Sequence, residues 1–124
     1  MRYEIMLNRV RRELEFVPGR EMADAALKAI WGIIVSSLDE PLAQRVTHEL
    51  PEPLTLERLR GHQQRPVAPS CEELIAEIRT QFSLTHEQAD ELVKTCIKTG
   101  EQMLGDQILY DLKGSVPEEM CALV

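Results

Sequence analysis

Three histidines and three cysteines are the side chains of this 124-residue chain best suited to bond-making chemistry. Nucleophilic catalysis needs a thiol or hydroxyl, a base and an orienting group brought to one place. His48 stands late in an amphipathic segment beside Glu49, His62 in a polar stretch, and His86 at the start of a helical run. Each reads as a surface residue. Cys96 falls on an apolar stripe and reads as a small core residue. Cys71 alone occupies a helix start, where the dipole lowers a thiol pKa, and Glu72 and Glu73 oppose that effect.

Metal chemistry fares no better. All three cysteines and His86 fall in the second half, but no pair has the C-x2-4-C or H-x3-5-H spacing of a zinc site. The carboxylates lack the D-x-D-x-D-G loop of a calcium hand and the E-x-x-H motif of di-iron bundles. No phosphate-binding glycine loop occurs. The chain is therefore read as a non-enzyme with no catalytic residues, no metal ligands and no cofactor.

Composition narrows the class further. Hydrophobic residues make up 44% but aromatics only 4%, so the core must be built from interdigitated Leu, Ile, Val, Ala and Met. A chain of this length buries roughly 65% of its unfolded surface as one domain. Three cysteines at wide spacings, Cys71, Cys96 and Cys121, argue against a disulfide framework and for the cytoplasm. The longest apolar run, Ala25 to Leu38, is interrupted by Lys28 and too short to span a bilayer. No secretory leader opens the chain, so neither export nor a membrane partner is expected.

The net charge is −7. Before Ala68 there are ten basic and ten acidic residues, and after it four and eleven, so the whole excess is C-terminal. Such a field repels phosphate backbones. Nucleic-acid regulation through Arg2, Arg9, Arg12, Arg58, Arg60 and Arg65 is thus the least favoured binding reading. In the first helix, Arg9 with Glu13 and Arg11 with Glu15 have i,i+4 spacing and suggest a solvated, self-neutralised face.

The elements that would carry any site emerge when the chain is slid along itself by 66 to 68 residues. Tyr3, Met6, Leu7, Val10 and Leu14 fall on Cys71, Leu74, Ile75, Ile78 and Phe82. Ala23, Ala26, Leu27, Ile30 and Leu38 fall on Ala89, Leu92, Val93, Cys96 and Leu104. Leu42, Val46, Leu50, Pro51 and Leu54 fall on Ile108, Leu112, Val116, Pro117 and Met120. Apolar positions meet apolar positions at helical spacing, and Leu-Pro meets Val-Pro. The expected fold is an all-α, pseudo-twofold six-helix bundle of two tandem three-helix repeats. Residues 1–60 form repeat one, 61–69 a linker and 70–124 repeat two, within one domain.

The helices are expected over Tyr3–Glu15, Arg20–Ser37 and from Asp39 to Pro51 in repeat one. Asp39 is an N-cap with Pro41 in the first turn. A short helical turn follows, from Pro53 through Leu59 to Gly61. In repeat two, Ser70 with Glu73 and Thr85 with Gln88 form capping boxes, with Leu84 and Ala89 as a staple. The fifth helix spans His86 to Leu104, Gly105 ends it, and Ile108, Leu109 and Leu112 mark the sixth. Ser115 with Glu118 caps a last turn containing Met120 and Leu123.

The second helix is apolar almost all round from Ala29 to Val35. Its counterpart puts Lys98, Thr99 and Glu101 where repeat one has Gly32, Ile33 and Val35. Either the second helix lies deeper in the fold, or its extra face, including Trp31, is an interface or lines a pocket. Gly100 falls on Ile34 and leaves room for a large residue from the other repeat.

The runs SSLDEPLAQRVTHELPEPL and GDQILYDLKGSVPEEMCALV, closing the two copies, resemble the bacterial domain-of-unknown-function family 2267 (DUF2267). The resemblance spans essentially the whole chain. Leu54 to Gly61 replaces the aromatic-rich segment such a resemblance implies, and the second copy lacks its basic surface. The resemblance implies an all-helical cytoplasmic protein and no activity. The leading functional expectation is a noncatalytic helical interaction module, homodimeric through a face of Trp31, Ile33 and Val35 as one form. The alternative is a small apolar-ligand domain with a cleft between the repeats where Gly100 leaves space.

Overall fold

The computed structural model describes residues 2–36, 38–52, 54–55 and 71–115. Among them are six α-helices and no strand: α1 (Arg2–Glu13), α2 (Arg20–Ser36), α3 (Glu40–Glu49), α4 (Cys71–Phe82), α5 (His86–Glu101) and α6 (Asp106–Ser115). The all-α class stands. The expected turn up to Leu59 and Gly61, the linker over 61–69, the Ser70 cap and the final turn after Ser115 lie outside the described residues.

The helix starts follow their local chemistry. Asp39 Oδ1 accepts from the Leu42 amide at 3.0 Å, and Pro41 occupies the first turn, where a missing N–H costs nothing. Pro51 ends α3, leaving the Leu50 amide bonded to the Val46 carbonyl at 3.1 Å. At α5 the capping box is complete. The Gln88 amide donates to Thr85 Oγ1 and the Thr85 amide to Gln88 Oε1, both at 3.1 Å. Leu84 is half-buried against the core and Ala89 is buried, as a staple requires.

Two helix ends come earlier than the periodicity suggests. α1 stops at Glu13, and the amides of Leu14 and Val17 turn back to Val10 and Leu14 ahead of Pro18. Glu15 is therefore off the helix and does not pair with Arg11; Arg9 does not pair with Glu13 either. α5 stops at Glu101, where Met103 and Leu104 bond three residues back, to Gly100 and Glu101, in tighter turns.

At the other end of the pattern, α4 closes on Ser83, which takes a left-handed φ of 55°. The Leu84 amide reaches the Arg79 carbonyl at 3.0 Å, a Schellman-type closure.

α2 is the centre of the molecule. It packs against α1, α3, α4 and α5, whereas its counterpart α5 packs against α1, α2 and α4. A helix touched on that many sides has to be apolar nearly all round, and α2 is. Ala23, Ala26, Leu27, Ile30, Trp31, Ile33, Ile34 and Val35 are all buried. Each fully buried aliphatic here stabilises by about 1.5–3 kcal/mol, and Leu27→Ala would cost about 2–5 kcal/mol.

A polar seam pins α1 to α2. The Tyr3 hydroxyl donates to Asp24, Lys28 Nζ bonds Asp24 Oδ2 at 2.9 Å, and Arg20 pairs with Glu4. Burial pushes the Tyr3 phenol well above its usual range, and its bond to Asp24 adds to that. Burial would raise Asp24 too, but the bonds from Tyr3 and Lys28 and the charges of Lys28 and Arg20 bring it below the usual carboxylate value.

Candidate functional site

The sequence left Trp31, Ile33 and Val35 as either core or a candidate interaction face, and the structure puts all three inside. Their exposures are 0%, 5% and 0%. The apolar excess of α2 is absorbed within the chain, because α2 is the helix on which four others converge. The positions facing solvent in α5 explain the contrast. Lys98 is exposed and Glu101 half-buried, while Thr99 is buried and satisfies its hydroxyl by donating to the Thr95 carbonyl at 2.7 Å.

Trp31 has a specific seat. Its indole lies against Gly100 of α5, where an added Cβ would fall on Cζ2, Cε2 and Nε1, well under the 3.0 Å that real Cβ contacts respect. The absent side chain lets the ring reach the α5 backbone, and Nε1–H donates to the Cys96 carbonyl at 3.0 Å. The buried indole dipole is thereby satisfied. The room expected at Gly100 exists and Trp31 fills it, so the cleft proposed there for an apolar ligand is occupied by the protein itself.

The reactive residue types are dispersed. His48 and His86 are exposed on α3 and α5, and His62 and Cys121 lie outside the described residues. Cys96 is fully buried, and burial pushes its thiol far above the usual range, away from nucleophilic reactivity. Among the described residues no three His, Cys, Asp or Glu side chains group as metal ligands would.

Among the described residues, a surface groove lies between α3 and α6. These helices run antiparallel, and polar bonds fix both ends of their contact. Glu49 Oε1 accepts the Gly105 amide at 2.8 Å at the start of α6, and Arg45 meets Asp111 at 2.9 Å farther along. Leu42, Val46 and Leu112 are buried beneath, with Ile108 and Leu109 packed at the edge of the core. The carboxylate of Glu49 also suits the electropositive helix start it faces.

Beside the Arg45–Asp111 pair opens a groove of about 430 Å³. Asp39, Pro41, Leu42 and Arg45 line one wall, and Tyr110, Asp111 and Gly114 the other. Tyr110 is 76% exposed although it sits in the middle of α6. Ile5, on the outer face of α1, is the other large exposed apolar side chain among the described residues, at 52%, and it lines neither described groove. A second groove, of about 420 Å³, passes Gln44, Thr47 and His48 of α3.

Tyr110 and Arg45 were not picked out by sequence reasoning. The signal was available, since the 66-residue offset puts Tyr110 on Gln44, an aromatic residue on a polar, outward-facing position. An exposed aromatic beside an arginine is the composition of protein-binding hot spots rather than of catalysis. No helix of the described residues is long and apolar enough to cross a membrane.

None of the curated proteins and none of the solved structures matches the chain. Residues 3–123 match the family described as "Uncharacterized conserved protein (DUF2267)". With nearly its whole length covered by that match, the chain belongs to the DUF2267 family.

Proposed function

We propose that this chain is a noncatalytic, cytoplasmic protein-interaction module that meets its partner through the α3–α6 face. The observation that carries the reading is Tyr110. A ring 76% exposed, beside an open groove with Arg45 and Asp111 at its wall, puts the residue types of a protein-binding hot spot on the surface. The partner is a protein, a second copy of the chain included. Because Trp31, Ile33 and Val35 are buried, this reading takes the outer layer rather than α2 as the interaction surface.

The module is built, in this reading, from two copies of one three-helix unit related by a pseudo-twofold axis. Helix lengths of 12, 17 and 10 residues are followed by 12, 16 and 10. The i,i+4 pair Asp24–Lys28 has its counterpart, 66 residues on, in Asp90–Lys94. Arg45 and Asp111 are equivalent positions under the same offset, so their ion pair would sit at the axis. Trp31 and Gly100 are the matched departures, a large residue in one copy answered by the smallest in the other.

The test is retention of a partner by the purified full chain. Partners recovered from the source cell with the wild type should be lost with Tyr110→Ser and with Arg45→Glu. They should be kept with Ile5→Ser, which removes the other exposed apolar residue. Partners lost with Ile5→Ser and kept with both groove variants would place the interaction surface on α1 and end this reading.

A further inference from the structure

We propose that the α3–α6 groove receives an arginine side chain carried on a basic segment of the partner. This rests on the groove being the interaction site and names what enters it. Shape is the first argument. Gly114, one turn beyond Tyr110 on the same helix, has nothing within 4 Å of where a Cβ would stand. The Tyr110 ring is itself 76% exposed and accessible to a flat group. A guanidinium is planar, weakly hydrated and stacks on aromatic faces, which an ammonium does less well.

Charge complementarity is the second argument. The groove holds two carboxylates, Asp39 and Asp111, against one cation, Arg45. Arg45 is held by Asp111 Oδ2. Asp39 spends Oδ1 on the Leu42 amide, which leaves Oδ2 able to accept from an incoming N–H. The field of the whole chain, at −7 with the excess in the second half, favours approach of a basic segment and opposes an acidic one. Buried Leu42 and the exposed ring of Pro41 give the methylene stem of an arginine an apolar wall.

The experiment titrates the isotope-labelled full chain with the peptide acetyl-GSRSG-amide and its lysine and glutamate counterparts, followed by amide NMR shifts. The arginine peptide should perturb residues 39–45 and 110–114 selectively. The lysine peptide should bind about two- to fivefold more weakly and the glutamate peptide should leave the groove unshifted. Tyr110→Ser should weaken the arginine peptide by about the same two- to fivefold with the remaining spectrum unchanged. Equal response to lysine, a groove response to glutamate, or arginine shifts centred elsewhere would overturn the proposal. Partner loss with Tyr110→Ser alongside any of these would sink the arginine and leave the groove standing as the interaction site.

Discussion

Gly100→Ala is the substitution that most sharply separates local helix propensity from the tertiary account. Alanine in a helix interior is favoured over glycine by about 1 kcal/mol, so on propensity alone the variant should be more stable. The added Cβ, however, would coincide with the Trp31 indole, and the ring is fully buried. Moving it costs about 1–3 kcal/mol of overpacking, and losing the Nε1–H bond to the Cys96 carbonyl about 1–3 kcal/mol more. The net expectation is a loss of about 1–5 kcal/mol. Urea unfolding followed by circular dichroism measures it, because the far-ultraviolet signal of six helices does not depend on Trp31. In a Trp31→Leu background the same Gly100→Ala change should be neutral or stabilising by up to about 1 kcal/mol, since the obstruction is gone. Equal effects in both backgrounds would refute the claim that Gly100 exists to seat the indole.

Three further outcomes follow from the same packing. Ile33→Glu buries a carboxylate among the neighbours of α2 and should destabilise by more than about 3 kcal/mol or prevent folding; a stably folded variant whose solution mass halves would restore the α2 interface. Ser83→Gly relieves the left-handed φ of 55° at the end of α4 and should raise stability by about 0.5–1 kcal/mol in the same urea assay, with no gain counting against the Schellman closure. The Tyr3–Asp24 seam should make stability fall at both extremes of pH. The folded Asp24 carboxyl holds its proton less tightly than an unfolded one, so its contribution is present above about pH 3.8 and is lost as pH falls through the lower folded value. The folded Tyr3 phenol holds its proton more tightly, so its contribution is full below about pH 10.0 and is lost as pH rises above it. Tyr3→Phe should flatten the alkaline loss of the urea midpoint, and an equal loss in both proteins would contradict the assignment.

How far the fold could be read in advance depended on whether a feature is local. Asp39, Pro41, Thr85 and Gln88 act within four residues of themselves, and their caps stand where the sequence put them. The apolar stripes were legible because each helix has one buried side to declare. The end of α1 was legible only to within two residues, since the Leu14 amide still bonds the Val10 carbonyl four residues back while Glu15 has left the helix ahead of Pro18. α2 presented the harder ambiguity. A helix apolar all round has the same sequence whether its extra face meets its own chain or a partner, and only the convergence of four helices on it decides between them. Gly100 could be foreseen as room for a large residue, although the occupant, Trp31, is 69 positions away in the chain. The candidate site was hardest to see, because Arg45 and Tyr110 become neighbours only when α3 and α6 lie antiparallel. Neither residue breaks a periodic pattern, and only the comparison of Tyr110 with Gln44 hinted at it.

The chain is proposed to meet its partner over Tyr110. A photo-crosslinking amino acid placed at position 110, and in separate proteins at positions 5 and 87, tests it directly in the source cell. Ile5 and Glu87 are exposed and stand outside the groove. A discrete crosslinked species is expected from position 110 and none from the other two. Crosslinks from position 5 or 87 with none from position 110 would contradict it.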